Sequence, residues 1–358
     1  MGGMGQTPAL RSRPRYSMRL RFPIAIFFAC AAACAAPNPW PNRDEKGVRF
    51  GAYMDFGETE DAVTLEGIEK FEKLADKRPA LIASSSYWGE ESFPAANLRL
   101  IDRHGAVPLI FWSPWDKPYE QNKGPDRFGL TEILAGRWDA YIDRWAEGAR
   151  EFGKPFFVSF CNEMNGCWFP WSGCFYGGRN GGPEIFKKTW RHVVDRVRAK
   201  GADNIIWVFH VNAFPGENDV WNMMASYYPG PDYVDWLGIS IYGQQFRDDR
   251  AWAHFRDLIN WPVKELSAVD PKKPIMIAEF GVGEFPKSGN KADWFREALA
   301  IIPKNPRIRA AVYWHERWQN QDGSFSNLRI NSSPAALEAF RQGIAAPEWI
   351  SSKTASQP

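Results

Sequence analysis

Beyond its first 36 residues the chain has no long hydrophobic run, no basic stripe and only three cysteines. Within those 36, the apolar run from Phe22 to Ala36 is too short for a comfortable transmembrane helix. It follows Arg19 and Arg21 and ends in small residues, with Ala33-Cys34-Ala35 as a cleavage signal, which is the order of a secretory signal peptide. Met18 opens a more conventional leader than Met1, which suggests an over-called start. Secreted or periplasmic destinations follow, and lipidation at Cys30 or Cys34 would anchor the chain as a lipoprotein instead. The leader carries Arg11, Arg13, Arg15, Arg19 and Arg21 and no acidic residue, so the net charge of +2 becomes −3 once it is removed. No nucleic-acid partner is therefore expected, and the chain is read as a monomer. None of Cys161, Cys167 and Cys174 has the spacing of a zinc site. Cys161 lies in an apolar run and reads as a buried thiol. Export permits a disulfide, and Cys167 with Cys174 would close a short loop; two free thiols fit the same spacing. Gly281-Val282-Gly283 does not continue as a dinucleotide fingerprint, so no cofactor is expected. With no Ser/Thr/Pro linker and no internal repeat, residues 44–346 read as one domain, between a signal peptide over 1–36 and a flexible tail over 347–358.

What is present is an alternation. Apolar runs over Val48–Phe56, Ala80–Trp88, Val107–Trp112, Pro155–Cys161, Ile205–His210, Val234–Tyr242, Pro274–Phe280 and Ile308–His315 are separated by helical patterns. Most are continuously apolar, as parallel strands covered on both faces should be. Trp138, Tyr141, Ile142, Trp145, Ala149 and Phe152 fall at helical spacing, as do Phe186, Trp190, Val193, Val194 and Val197. Pro183 suits the first position of the second helix and Gly201 its C-terminal cap. Pro334 starts the last helix. Eight such units predict an α/β fold, the (β/α)₈ TIM barrel.

Chemistry in such a barrel sits where strands end. Those ends read Tyr53 and Asp55; Tyr87 and Trp88; Trp112 and Trp115; Asn162 and Glu163; His210 and Asn212; Tyr242; Glu279; and Trp314, His315 and Glu316. Aromatics, amides and carboxylates converge on one rim, and no strand end offers two histidines at metal spacing, so no metal is expected. The aromatic surplus (18 Trp, 25 Phe, 11 Tyr) fits sugar stacking as well as barrel packing. A single strand-end Glu is as well explained by a structural ion pair. Glu163 and Glu279, closing strands four and seven, face each other across the mouth and suit the two carboxyl groups of retaining glycosidic cleavage.

Asn162-Glu163-Met164-Asn165-Gly166, followed by Trp168-Phe169-Pro170-Trp171, resembles the acid/base motif of glycoside hydrolase family 26, a clan A family dominated by endo-β-1,4-mannanases. Ile277-Ala278-Glu279-Phe280-Gly281 resembles its nucleophile motif, and Tyr227 through Tyr242 its strand-six region. The resemblance covers about residues 48–345. It implies Glu163 as general acid/base, Glu279 as nucleophile, Tyr242 as a donor to Glu279, and Trp168 and Trp314 as a stacking floor. Asn162, Trp88, Trp112, Trp171 and His315 complete the expected substrate-binding set, and β-1,4-mannan is the expected substrate. Two departures weaken the substrate reading: Asn162 stands where the mannanases have His, and Ser113 where a carboxylate is common. A β-1,3/1,4-glucanase or xylanase of the same fold stays open, as does a silent sugar-binding barrel.

Overall fold

The computed structural model describes residues 46–54, 56, 62–117, 124–247, 252–320 and 322–352. The expected signal peptide, Asp55 and the last residues of the expected tail lie outside the described residues. Eight strands form the barrel: β1 Val48–Met54, β2 Leu81–Tyr87, β3 Val107–Ser113, β4 Phe156–Phe160, β5 Ile205–Asn212, β6 Trp236–Tyr242, β7 Ile275–Gly281 and β8 Ile308–His315. Each pairs in parallel with the next, and β8 closes on β1 from Arg49–Ala310 to Met54–His315. A helix follows each strand: α1 Leu65–Ala75, α2 Ala95–Arg103, α3 Asp139–Phe152, α4 Gly182–Ala199, α5 Met224–Tyr227, α6 Phe255–Val269, α7 Lys291–Ile301 and α8 Pro334–Ile344. The strand limits read from the sequence hold to within two residues.

Helix starts follow from side-chain chemistry. Thr64, Asn290 and Ser333 accept hydrogen bonds from the free N–H groups at the starts of α1, α7 and α8. Pro183 and Pro334 occupy the first turns of α4 and α8, where no N–H is needed. Gly201, at φ +74°, lies just beyond α4.

Alternate residues of each strand divide between two cores. Tyr53, Leu109, Phe111, Phe157, Val208, Trp236, Met276 and Val312 fill the barrel interior, with Trp314 packed at its top. Ile110, Trp112, Phe160, Trp207, Phe209 and Tyr313 face the helices. Eight tryptophans among the described residues are under 2 % exposed, so packing absorbs much of the aromatic surplus.

Residues 347–352, read from the sequence as part of the tail, are in place. Trp349–Ile350 forms a short strand parallel to β1, and the buried Trp349 indole donates to Leu299 O at 3.1 Å. An aromatic seated under the barrel resists release, which a reading of the polar residues around it did not register.

Candidate active site

The loop after β4 is held in an unfavourable backbone. Cys161, Glu163 and Cys167 all have positive φ (51°, 54° and 69°), each costing about 1–3 kcal/mol for a non-glycine residue. Several bonds over-determine this conformation. Glu163 N donates to His210 O at 2.8 Å, Gly166 N to Glu163 O at 2.8 Å, and the Trp171 indole to Asn162 O at 2.6 Å. The Asn165 amide spans to β5, donating to Asn212 O at 2.9 Å and accepting from Asn212 N at 2.8 Å. A Cys167–Cys174 disulfide, with Cα atoms 5.4 Å apart, closes the loop, and Cys161 is a buried free thiol. The backbone at Gly166 is bare for a reason. A Cβ there would lie 2.2 Å from Trp168 Cζ2, so only glycine lets the indole fold back to donate to Glu163 Oε2 at 3.0 Å.

Glu279 reaches the same space through a bulge. Along β7 the partner of Ile239 is Ile277, but the partner of Ser240 is Glu279, so Ala278 is an extra residue. Ala278 faces the barrel interior, and Glu279 next to it turns inward as well, accepting from the Tyr242 hydroxyl at 2.8 Å. Bulges re-aim side chains in this way.

The two carboxylates therefore meet over the axis. One oxygen of Glu163, one of Glu279 and a ring nitrogen of His210 lie within 4.8 Å of one another, all on buried residues. Burial raises the pKa of both acids. Donation from Ser240 and Trp168 opposes the shift at Glu163. At Glu279, the like charge of Glu163 adds to burial, and the Tyr242 hydroxyl opposes it. Burial and the same two carboxylates keep Tyr242 a neutral phenol and therefore a donor.

Beneath the pair runs a line of buried polar groups that the sequence reading did not assemble. Ser159 Oγ lies 2.9 Å from His210 Nδ1, and Ser240 Oγ lies 2.8 Å from His210 Nε2. Burial lowers the His210 pKa to about 3, so the ring is neutral. With Glu163 ionised, one proton order satisfies every group: Ser159 O–H donates to Nδ1, Nε2–H donates to Ser240, and Ser240 O–H donates to Glu163. Both ring nitrogens are thus engaged. A signal was present, because Ser159, His210 and Ser240 are lone polar residues inside apolar strands.

The floor is aromatic. Trp314 stacks on Tyr53 with centroids 3.8 Å apart and planes 3° apart, and its indole donates to Glu316 at 2.6 Å. Asn162 sits beside Glu163, 7 % exposed, and its side-chain amide makes no hydrogen bond among the described residues.

Six of the ten expected residues thus cluster: Glu163, Glu279, Asn162, Trp168, Tyr242 and Trp314. Four do not line the mouth. Trp88 and Trp112 face the helices, packed against Tyr141 and Phe160, and Trp112 donates to Tyr141 Oη at 3.0 Å. His315 points outward beside Phe71 and accepts Ile330 N at 3.0 Å. Trp171 is buried between Phe169 and Trp115 and braces the Asn162 carbonyl. Trp112 and His315 lie one step out of phase with the inward residues of their strands, Trp88 stands in the turn just past β2, and Trp171 lies behind the loop it supports.

Comparison with known proteins agrees with this geometry. Residues 132–296 match the model of Glycosyl hydrolase family 26. Endoglucanase H of Acetivibrio thermocellus is 31 % identical over 326 residues, covering 87 % of this chain and 33 % of that protein. The chain therefore spans about a third of the length of that relative. Mannan endo-1,4-β-mannosidase of Bacillus subtilis is 22 % identical over 311 residues, covering 78 % and 77 %. In structure, the catalytic domain of a Bacillus sp. JAMB-750 endo-β-1,4-mannanase superposes with a TM-score of 0.64 at 20 % identity, covering 85 % of this chain and 87 % of that one. That likeness establishes the fold, and the sequence matches establish the lineage. The chain belongs to glycosyl hydrolase family 26.

Proposed function

We propose that the chain is a retaining, endo-acting glycoside hydrolase that cleaves a β-linked plant-type polysaccharide by double displacement. The observation that carries this is the separation of the carboxylates. Oxygens of Glu163 and Glu279 lie within 4.8 Å, in the class of about 5–5.5 Å used for direct nucleophilic attack rather than the roughly 6.5–9.5 Å that admits a water. Glu163, at the position of the family's acid/base, protonates the glycosidic oxygen. Glu279 attacks the anomeric carbon, and a glycosyl ester forms as the leaving sugar departs. Glu163 then takes a proton from water as the water attacks the same carbon, which frees Glu279. Tyr242 orients Glu279, and the Trp314 face carries the sugar. Proton NMR of the first-formed product should show the substrate's β-configuration; the α-anomer would refute double displacement.

For the backbone sugar the reading favoured is β-glucan. The Asn162 amide, which makes no hydrogen bond among the described residues, can both donate to and accept from a sugar hydroxyl beside the acid/base. A relative named Endoglucanase H matches 87 % of the chain at 31 % identity, against 22 % for the mannosidase. β-Mannan is the second reading, favoured by the motif resemblance and by that mannosidase. Initial rates on mixed-linkage β-glucan, galactomannan and xylan decide between them, and turnover of any of these excludes a silent sugar-binding barrel. Asn162→Ala should lower kcat and kcat/KM together on the true substrate; a change confined to KM would remove Asn162 from the transition state. A disulfide in the acid/base loop supports an exported protein.

A further inference from the structure

Large exposed aromatics are few among the described residues, and two of them stand together. Phe214 and Trp261 are 44 % and 45 % exposed, yet their rings stack with centroids 5.9 Å apart and planes 13° apart. Phe214 belongs to the loop that leaves β5, and Trp261 to α6, the helix after β6. Two half-exposed rings from separate elements, held parallel, offer apolar area to which the C–H face of a pyranose is complementary.

The place of the pair in the molecule says which sugars it meets. The Phe214 carbonyl accepts from Asn212 Nδ2 at 2.6 Å, Asn212 is bonded in both directions to Asn165, and Gly216 N donates to Asn165 O at 2.8 Å. The loop carrying Phe214 is therefore tied to the loop carrying Glu163. A general acid stands on the side of the bond where the departing chain lies, because it protonates that chain's oxygen. We propose that Phe214 and Trp261 form a binding platform for the leaving-group portion of an uncharged β-linked polysaccharide, continuous with the acid side of the cleft. This rests on the glycoside hydrolase reading above. The platform binds polymer without touching the reacting atoms, so small substrates do not sense it.

Native electrophoresis through gels holding mixed-linkage β-glucan or galactomannan tests binding apart from turnover. Glu279→Gln protein should be retarded by at least one polymer, and adding Trp261→Ala or Phe214→Ala should weaken the retardation about tenfold in apparent Kd, the scale of one large apolar contact. In otherwise intact enzyme, the ratio of kcat/KM on polymer to that on an aryl glycoside should fall by a similar factor. Trp261→Phe should restore most of both. Equal retardation with and without the rings, or an equal loss on polymer and aryl glycoside, overturns the platform. Retardation that needs the rings, in a protein that cleaves no polysaccharide, upholds it and overturns the hydrolase reading alone.

Discussion

Two buried carboxylates this close cannot both ionise at the ordinary carboxylate pKa. Their nearest oxygens are within 4.8 Å. At that distance and an effective dielectric of about 20, like charges repel by about 3.5 kcal/mol, or about 2.5 pKa units. The pair should lose its first proton near the range of a buried carboxyl group and its second at least that far above. A bell-shaped kcat/KM profile follows, with the acidic limb marking the singly ionised pair and the basic limb its loss. Glu163→Gln converts the pair into one titrating group without changing its shape. Glu279 in that variant ionises beside a neutral neighbour, as it does in the first step of the intact pair. The acidic limb should therefore stay where it was, while the basic limb disappears. The assay is kcat/KM against pH, with a poor leaving group for the intact enzyme and a dinitrophenyl glycoside, which departs without an acid, for the variant. A basic limb that survives in Glu163→Gln assigns the second proton to another residue and refutes the reasoning. Limbs less than about one unit apart in the intact enzyme would equally refute it, since the repulsion worked above would be absent.

Tyr242→Phe removes the donor 2.8 Å from Glu279 and should lower kcat by about 10- to 100-fold with little change in KM, the scale of a hydrogen bond to a charged group; steady-state kinetics on polymer would show it. Gly166→Ala places a methyl 2.2 Å from the Trp168 ring, so it should displace the indole from Glu163 and reduce activity while the thermal transition stays cooperative; an unchanged rate would mean that the Trp168–Glu163 bond is dispensable. Replacing Cys167 and Cys174 by Ser opens a loop of sequence separation 7 and should cost about 2.5 kcal/mol on the loop-entropy scale, measured by urea unfolding.

Much of the barrel was legible because eight apolar runs of strand length, divided by helical stripes, leave few other closures. Phase was not legible. Strands covered on both faces carry no alternation of polarity, so the residues that end them are readable while the direction they face is not. On that account the sequence alone sets Trp112 and His315 at the mouth, whereas both point at the helices. Applying the phase of Val208 and Trp236 along their strands would have brought His210 and Ser240 to Glu163, since these polar residues fall at inward positions. The pairing of Cys167 with Cys174 was open on spacing alone, because it needed the left-handed turns at Cys161, Glu163 and Cys167 that no composition announces.

The extra residue in β7 separates making the barrel from using it. Ala278 lets Glu279 turn inward while Phe280 rejoins the helix-facing layer opposite Tyr313. Regular pairing of the same residues would turn Glu279 toward the helices, whereas removing Ala278 would leave the carboxylate in the inward place opposite Ser240. The bulge, and not the number of residues alone, therefore holds the carboxylate beside Tyr242 and Glu163. A slip of β7 back into regular register would take the carboxylate from the mouth while every residue of the chain stayed the same.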